Sequence, residues 1–514
     1  MKINNLKKSF PILFNFNKFN KFNKYNFSEK PKILKSPPLV YISGEEMSRY
    51  AGELYLDNWI RPYMDISNWK FYDLSCKNRD NTNDQVLRDC IAEGAKIGAI
   101  YKEPTITPNA QQKVEFGLKN TLPSPNGIMR AGWNGITISR DTIHIPGMDL
   151  GYKNPVLFDR HAVGGEYGAG SKIVGAGKAI TLFTPKNNKS PTIVVDEREL
   201  KDNLNAAVFY HNPYDNVPAM ARHFFGRCLE ANVVPYVVTK KTVFKWQEEF
   251  WRGMKDVFDS EFKAKFNEKG LLKSCRGELQ HFLSDVATMN LIRWSEGNFG
   301  MCAHNYDGDV LTDEIAQIHR SPGFLSSVLN GVRDDGSIIK EFEASHGTVT
   351  DMWIAHLKGK ETSLNPLSMM EALIGGIRHS VKLSNNQYQA EEILNFMAKL
   401  QDSIYKQMTT EGKATRDLSG PDGLTTEEFV KAVKERIDGI HSERHIAVKK
   451  LAKKADDFLE DESIDIEKVR RLFNEIDADK NGSIDIKEFT RALKILRISP
   501  RKIDRILEEY PKSF

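Results

Sequence analysis

The sequence predicts an α/β protein with a parallel or mixed sheet, followed by a smaller helical module. Between residues 36 and 440, short apolar runs such as residues 233–239 alternate with amphipathic runs such as residues 218–230. This alternation is typical of strands that are connected by helices. The composition changes after residue 440, and the length of 514 residues exceeds what one hydrophobic core organises.

The first 28 residues form a basic leader. They contain six lysines, many asparagines and phenylalanines, and no acidic residue. This composition is typical of an organelle transit peptide, so we interpret residues 1–35 as a leader for the mitochondrial matrix. The leader lacks arginine, which keeps an Asn/Lys-biased disordered tail of a cytoplasmic protein as the alternative. Residues 28–38 are predicted to be a linker, and residues 39–44 the first buried strand.

The overall composition is that of an ordinary globular protein, with 40% hydrophobic residues, 28% charged residues and a net charge of +4. Lysines and arginines form no stripe interleaved with aromatic residues, so we expect no nucleic-acid partner. The five cysteines are scattered and form no Cys-x-x-Cys pair. This pattern argues against a disulfide framework or a zinc site and favours a reducing compartment. No apolar run approaches transmembrane length.

The C-terminal region predicts a calcium module. A basic helical linker, residues 441–457, precedes residues 458–514, which contain a 12-residue acidic loop with Gly482 at its turn. The spacing of its oxygen-bearing residues meets the requirements of an EF-hand, and its predicted Ca²⁺ ligands are Asp477, Asp479, Asn481, Ser483, Asp485 and Glu488. No second loop comes after it in the sequence, so we expect this hand to pair with its copy across a dimer or with another protein.

Two carboxylates in residues 305–313 suggest a metal site. If a helix begins after Asp307 and Gly308, then Asp309 and Asp313 lie four residues apart on one helix face. Such a pair suits Mg²⁺ or Mn²⁺, which prefer oxygen ligands and keep positions open for a substrate. Most pairs with this spacing are solvated helix surface, so the pattern alone is a weak signal.

Three arginines and one turn suggest an anionic substrate and a phosphate-containing cofactor. Arg130, Arg140 and Arg160 lie near small polar residues, and guanidinium groups bind carboxylates bidentately. A cluster of them beside a cation suits a substrate with several carboxylates, although a surface ion pair is the commoner role for any one arginine. Residues 343–350 run from a strand end into a turn of small residues, whose amides can hold a phosphate at a helix start.

Residues 36–440 resemble the β-decarboxylating isocitrate dehydrogenases, specifically their homodimeric eukaryotic branch. The matching stretches are residues 77–85, 105–108, 124–127, 160–162, 305–310, 346–350 and 365–366. The resemblance implies the isocitrate/isopropylmalate dehydrogenase-like fold. In that fold, a discontinuous large domain (about residues 36–134 and 320–440) joins a small domain and a clasp near residues 165–215.

The resemblance also implies a role for each matching residue. The residues that would bind isocitrate are Thr107, Ser124, Asn126, Arg130, Arg140, Arg160 and Thr242. Asp285, Asp309 and Asp313 would bind Mg²⁺ or Mn²⁺. Tyr167 and Lys240 would be the acid/base pair of an oxidative decarboxylation to 2-oxoglutarate and CO₂. Lys240, Thr242 and Asp285 would come from the neighbouring subunit, so that a homodimer shares its active sites.

One departure from the family concerns the cofactor. The implied cofactor contacts are Lys102, Thr105, Asn290, Arg293, His346, Gly347, Thr348, Val349, Thr350, Asp351 and Asn365. NADP members carry a basic residue and then His after Thr350 to bind the 2′-phosphate, whereas this chain has Asp351 and Met352. A carboxylate repels a phosphate and accepts hydrogen bonds from a free ribose hydroxyl, so we predict NAD. The alternatives are an NADP-specific enzyme and, from another class, a non-catalytic calcium-binding scaffold that retains the fold.

Overall fold

A computed structural model describes residues 33–186, 190–333, 335–384 and 388–439. The basic leader up to residue 32, the linker after residue 440 and the EF-hand loop lie outside the described residues. The chain divides into two compact units, Met1–Val430 and Lys431–Phe514. The first unit contains every predicted site residue except the calcium ligands.

The strands are distributed along almost the whole of this unit. Their bounds are β1 Leu34–Lys35, β2 Val40–Ser43, β3 Met64–Asp65, β4 Lys70–Asp73, β5 Ala99–Lys102, β6 Gly135–Asp141, β7 Val156–His161, β8 Gly170–Val174, β9 Gly177–Phe183, β10 Ile193–Leu200, β11 Asn205–Phe209, β12 Val234–Thr239, β13 Gln280–Leu283, β14 Phe299–Ala303, β15 Ser326–Val332 and β16 Ile338–Ala344. Two of these bounds bear on the predictions. Strand β12 confirms the predicted strand at residues 233–239, and β1 lies in the segment that we expected to be a linker.

The helices alternate with the strands. Their bounds are α1 Glu46–Tyr55, α2 Cys76–Asn81, α3 Gln85–Ile97, α4 Ala110–Glu115, α5 Pro125–Gly132, α6 Val217–Ala231, α7 Gln247–Val257, α8 Lys263–Glu268, α9 Ser284–Arg293, α10 Asn305–His319, α11 Thr350–Leu357, α12 Leu367–Leu383, α13 Ala390–Met408, α14 Arg416–Ser419 and α15 Thr426–Ile437. A short 3₁₀ helix, Gly165–Gly168, lies between β7 and β8. Helix α6 confirms the predicted helix at residues 218–230.

One mixed sheet of ten strands organises the unit. The strand order is β13-β12-β14-β7-β6-β15-β16-β5-β2-β4. The four strands at each end of the sheet run parallel, as the helical connections between them predict. Antiparallel pairs join β7 to β6, β6 to β15 and β15 to β16 at its centre. The predicted parallel or mixed sheet is therefore a mixed one.

Helix α10 is amphipathic and lies against the centre of this sheet. Its side chains Leu311 and Ile315 are buried in a hydrophobic cluster with Phe158 of β7 and Met301 of β14. Burial of this apolar face holds the helix in place and leaves the opposite face available for polar residues. The helix begins at Asn305, so the expectation that it would begin after Asp307 and Gly308 is wrong by one turn.

Strands β8 to β11 form two separate antiparallel pairs, β8 with β11 and β9 with β10. They lie where the resemblance implies a clasp. Large apolar side chains on these strands are at least half exposed, namely Ile173, Ile180, Leu182, Phe183, Ile193, Val194, Val195, Val208 and Phe209. An apolar surface of this size is typical of a protein interface. Among the described helices, none combines the length and the apolar character needed to cross a bilayer.

Candidate active site

Two of the predicted arginines lie on neighbouring central strands. Arg140 is on β6 and Arg160 on β7, and Ile138 of β6 pairs with Arg160 in the antiparallel register. Paired residues share a sheet face, and so do residues two apart on one strand. The register therefore places both guanidinium groups on the same face of the sheet.

Arg160 holds the beginning of α10. Its side chain is 1% exposed, and its Nε and Nη2 donate to Asn305 Oδ1 at 3.2 and 2.7 Å. Its Nη1 donates to the Asp309 carboxylate. Burial and the nearby charges of Arg140 and Arg130 hold the pKa of Arg160 well below its usual range. Arg160 is therefore not part of a surface ion pair, which is the commoner role of a single arginine.

Gly308 permits the close approach of α10 to β7. A Cβ atom added at Gly308 would lie 2.3 Å from Cβ of Arg160, a distance that real Cβ atoms do not reach. Glycine inside a helix costs about 1 kcal/mol relative to alanine. The close packing against Arg160 explains why α10 nevertheless has a glycine at this position.

The two predicted metal carboxylates lie on the face of α10 next to Arg140. Arg140 Nη1 is 3.2 Å from Asp309 Oδ1 and 3.8 Å from Asp313 Oδ1, and it donates to Thr312 Oγ1 at 2.9 Å. The Asp309 side chain is 32% exposed and that of Asp313 is 72% exposed. The expected shared face is confirmed, and it is open on the side of Asp313.

Tyr167 completes this group. It lies in the 3₁₀ helix, and its hydroxyl donates to Asp309 Oδ2. The guanidinium carbon of Arg160 lies 5.2 Å from the centre of its ring, within cation–π distance. Tyr167 is 48% exposed, so its hydroxyl group lies between the buried arginines and solvent.

Helix α5 contributes the third arginine. Ser124 caps its N-terminus and accepts a hydrogen bond from the Gly127 amide at 3.5 Å, and Asn126 accepts one from Thr105 at 3.4 Å. Thr107, in the loop between β5 and α4, is exposed. Arg130 lies in the last turn and is 8% exposed.

The arginine cluster has an unused hydrogen-bond donor. The buried Nε of Arg140 has no hydrogen-bonding partner in the part of the chain that the structure describes. Burial lowers the pKa of Arg130. The three guanidinium groups lie close enough to lower the pKa of Arg160, so positive charge is concentrated here. Buried donors without partners are costly, and an anionic ligand would satisfy them.

Behind Arg130 lies a buried carboxylate pair. Lys102 Nζ is 2.7 Å from Glu343 Oε2 and 4.0 Å from Glu341 Oε1, and all three side chains are less than 10% exposed. Burial and the neighbouring Glu343 raise the pKa of Glu341 to about 8, whereas Lys102 and Arg130 lower that of Glu343 to about 2. Lys102 therefore forms an ion pair with Glu343. This ion pair was not expected when Lys102 was predicted to contact the cofactor.

Lys240, Thr242 and Asp285 form a second group. Lys240 and Thr242 come directly after β12, and Asp285 lies in the first turn of α9. Lys240 Nζ is 2.6 Å from Asp285 Oδ1, and this hydrogen bond lowers the pKa of Asp285. Within the described residues, no hydrogen bond or ion pair connects Lys240 or Asp285 to Tyr167, Asp309 or Asp313. One chain thus presents two separate groups of candidate catalytic residues.

The predicted cofactor residues 346–351 come after β16 and lead into α11. Thr348 is buried, Gly347 and Asp351 are exposed, and the His346 Nδ1 lies 2.8 Å from the Gly347 carbonyl. Asn365 is 9% exposed and is already hydrogen bonded to Asp417 at 2.8 Å and to the Leu367 amide at 3.0 Å. The predicted contacts on α9 are Asn290, which is partly buried, and Arg293, which is exposed.

The residues present fit a hard divalent cation. Asp309 and Asp313 supply two carboxylates on one open face, and Mg²⁺ and Mn²⁺ are commonly held by few carboxylates together with substrate oxygens. No group of three or more potential metal ligands occurs among the described residues of a single chain. A third carboxylate at this site would therefore come from elsewhere.

Sequence reasoning missed several residues that support the site. Asn305 and Thr312 hold the two buried arginines, and Glu46 accepts hydrogen bonds from the predicted cofactor loop. Asn305 stands at the start of the acidic stretch that the sequence singles out, which is a local signal. Glu46 lies about 300 residues from its partners, and no pattern in the sequence connects them.

A mixed sheet flanked by helices, with buried arginines beside two helix carboxylates, suits an enzyme whose substrate is a small polyanion. The chain belongs to the isocitrate/isopropylmalate dehydrogenase family, whose model matches residues 42–433. An EF-hand domain model matches residues 468–496, which confirms the predicted EF-hand by family.

Named relatives cover most of the chain. The mitochondrial isocitrate dehydrogenase [NAD(+)] 1 of Phaeodactylum tricornutum is 54% identical over 93% of this chain and 88% of its own length. The mitochondrial isocitrate dehydrogenase (NAD(+)) of Ostreococcus tauri is 59% identical over 79% of this chain and 86% of its own. The Arabidopsis thaliana chloroplastic/mitochondrial NADP isocitrate dehydrogenase is 33% identical over 78% of this chain and 81% of its own.

A crystal structure of isocitrate dehydrogenase from Ostreococcus tauri, in complex with isocitrate and magnesium(II), is similar to this chain. The TM-score is 0.74 at 58% identity, and the match covers 79% of this chain and all of that one. The predicted family and fold are therefore confirmed.

Proposed function

We propose that this chain catalyses the metal-dependent oxidative decarboxylation of isocitrate to 2-oxoglutarate and CO₂ with NAD⁺ as the oxidant. The observation that carries the proposal is the cluster of three buried guanidinium groups beside Asp309 and Asp313, in which the Nε of Arg140 has no hydrogen-bonding partner among the described residues. These guanidinium groups suit a substrate with three carboxylates, and the two helix carboxylates suit the cation that accompanies it. The names of the NAD(+) relatives agree with this assignment.

The residues of the site divide the chemistry between them. Arg130, Arg140 and Arg160 hold the substrate carboxylates and fix the orientation of C2 and C3. Lys240 accepts the proton of the C2 hydroxyl group, and Tyr167 donates a proton to C3 after CO₂ has left. A divalent cation held by Asp309 and Asp313 would supply Lewis acidity, and NAD⁺ would supply the oxidising power.

NAD⁺ is the proposed coenzyme because of the residue directly after Thr350. Asp351 lies in the first turn of α11 and is exposed. Its carboxylate repels a 2′-phosphate and accepts hydrogen bonds from a free 2′-hydroxyl. The sequences named as NAD(+) enzymes are 54% and 59% identical to this chain, against 33% for the plant NADP enzyme.

A homodimer is proposed to assemble each active site from two chains. The helices that carry the carboxylates expose large apolar side chains: Met289 and Ile292 on α9 are 55% and 62% exposed, and Tyr306 and Val310 on α10 are 50% and 51% exposed. A second copy that buries these faces would bring its Lys240, Thr242 and Asp285 to Asp309 and Asp313. The exposed strands of the clasp are the second part of this interface.

Calcium is proposed to bind the EF-hand loop, with Asp477 and Glu488 as its first and last ligands. The module would pair with its copy in the dimer or with another protein and modulate turnover. Glu488→Gln removes the bidentate ligand, so a response to Ca²⁺ in the wild type that is absent from this variant would support modulation. If the two proteins have identical kinetics with and without Ca²⁺, the module serves assembly and does not modulate turnover.

The mitochondrial matrix is the location of this activity. The two NAD(+) relatives are named as mitochondrial. The first 28 residues, which are basic and contain no acidic residue, agree with them.

The proposal is tested by assaying the purified full-length protein with D-isocitrate, Mn²⁺ or Mg²⁺, and either coenzyme. We expect NAD⁺ reduction with stoichiometric CO₂ release, dependence on the cation, and little activity with NADP⁺. Absence of CO₂ release with both coenzymes and both cations would refute the proposal.

A further inference from the structure

A short segment near the N-terminal end of the described residues forms hydrogen bonds with the predicted cofactor loop. Residues 44–48 lead from β2 into α1. The Gly44 amide donates to Glu103 Oε2 at 2.8 Å, and the Glu45 amide donates to the Pro104 carbonyl at 3.3 Å. The Cys76 amide donates to Glu45 Oε1 at 2.9 Å. These bonds tie the segment to β5 and to α2, so it is a rigid support.

This support binds the cofactor loop at four points. The hydroxyl groups of Thr348 and Thr350 both donate to Glu46 Oε2, the latter at 2.6 Å. The hydroxyl group of Ser48 donates to the Gly347 carbonyl at 3.2 Å, and its amide donates to the Thr348 carbonyl at 3.3 Å. A single carboxylate thus holds the residues on both sides of Val349.

The backbone conformation of Val349 is unfavourable for a β-branched residue. Its backbone is left-handed, with φ 59° and ψ 55°, and β-branched residues rarely adopt this region because Cβ crowds the backbone. Glu46 also has a positive φ of 58°. Such strain persists only where the surrounding contacts enforce it, and it concentrates at functional sites. The contacts that enforce it here are those of Glu46 and Ser48.

We propose that Glu46 is a positioning residue for the coenzyme: by holding Thr348 and Thr350, it keeps Val349 left-handed and the loop in the shape that receives NAD⁺. The inference rests on the proposed function, because it assigns NAD⁺ to residues 346–350. Without the two hydrogen bonds to Glu46, Val349 relaxes toward ordinary backbone angles, and each binding event must restore the strained loop.

Glu46→Met, which removes the accepting oxygen with little change in side-chain size, tests the proposal in the full-length protein. We expect the KM and the calorimetric Kd for NAD⁺ to rise about tenfold, since restoring a strained residue lowers the population of the competent loop by that order. The KM for isocitrate should stay unchanged, and amide hydrogen exchange of residues 346–351 should rise without coenzyme. Glu53→Met is the matched control, because Glu53 lies on the same helix, away from the cofactor loop, and forms a surface ion pair with Arg61.

Val349→Gly separates positioning from general support. Glycine adopts the left-handed region without strain, so the double variant Glu46→Met/Val349→Gly should recover most of the NAD⁺ affinity. A purely structural role for Glu46 predicts no recovery. Thr350→Val removes one of the two donors and carries the same test if Glu46→Met does not fold.

The outcomes distinguish this inference from the proposed function. Unchanged NAD⁺ affinity in Glu46→Met, or an equal loss of affinity for isocitrate, overturns the inference while an active wild type upholds the function. A wild type that neither binds nor reduces NAD⁺ overturns both.

Discussion

At the scale of single residues, the charge of Asp351 is proposed to decide the coenzyme. Asp351→Arg replaces a repelling carboxylate with a group that can bind a 2′-phosphate. A like-charged or unpaired contact costs about 2–5 kcal/mol, so we expect the ratio of kcat/KM for NAD⁺ to that for NADP⁺ to fall by at least about 30-fold. Steady-state kinetics with both coenzymes measure this ratio.

The control for this variant is Glu392→Arg on α13, which makes the same change of charge at another exposed position. It should leave the ratio as in the wild type. If Asp351→Arg also leaves the ratio unchanged, the side chain points into solvent and another residue selects the coenzyme.

Glu341 gives a second residue-scale prediction, which concerns pH. Its pKa is raised from 4.5 to about 8 by burial and by Glu343. The folded protein keeps a proton that the unfolded chain releases near pH 4.5, so the stabilising contribution is complete below that pH and is lost as pH rises to about 8. The free energy of unfolding should fall by on the order of a few kcal/mol over this range, because each tenfold change in proton affinity corresponds to about 1.4 kcal/mol.

Glu341→Gln mimics the protonated carboxyl group. In this variant, the free energy of unfolding should depend less on pH between 5 and 8. Urea unfolding of the wild type and the variant at several pH values between 5 and 8 measures the effect, with the exposed Glu392→Gln as the control. Parallel profiles for the wild type and Glu341→Gln would mean that Glu341 does not hold the proton.

At the scale of elements, the contact between α10 and β7 sets the geometry of the site. Gly308→Ala places a Cβ atom 2.3 Å from that of Arg160 and should push the helix outward with Asp309 and Asp313. Overpacking of this kind costs about 1–3 kcal/mol of stability. A displacement of about 1 Å at a catalytic group lowers the rate by up to about a hundredfold, so kcat should fall far more than the melting temperature suggests.

The matched control is Gly226→Ala in α6, where an added Cβ atom meets nothing within 4 Å. It should be neutral or slightly stabilising, because alanine favours the helix. Thermal unfolding, kcat and Mn²⁺ affinity measured on both variants separate the loss of packing from the loss of catalysis. Equal behaviour of the two variants would show that α10 tolerates displacement from β7.

Elements with local signals could be predicted from the sequence, and contacts between distant segments could not. Apolar periodicity predicts the strand β12 and the helix α6, and the spacing of Asp309 and Asp313 predicts their shared face. The sequence misplaces the beginning of α10 because glycine usually marks a helix boundary, whereas Gly308 is required by tertiary packing. The pairing of Lys102 with Glu343 and the contact of Glu46 with Thr350 depend on strand order, which periodicity does not determine.

At the scale of the whole molecule, the two groups of candidate catalytic residues imply a test by complementation. Tyr167→Phe inactivates the group that each chain supplies to its own site, and Asp285→Asn inactivates the group that it supplies to its partner. Each homodimer should therefore be nearly inactive. In a mixed dimer, one site combines both defects and the other combines wild-type Tyr167 with wild-type Asp285, so random reassociation should restore about a quarter of the wild-type activity per chain.

The pattern of recovery identifies the arrangement of the site. Tyr167→Phe mixed with Lys240→Met should also recover activity, because Lys240 and Asp285 lie 2.6 Å apart and belong to the same group. Asp285→Asn mixed with Lys240→Met should recover none, because both defects then fall in the group supplied to the partner, and every site receives one of them. If the catalytic residues of each site came from a single chain, no pair of variants would recover activity, and the exposed faces of α9 and α10 would require another explanation.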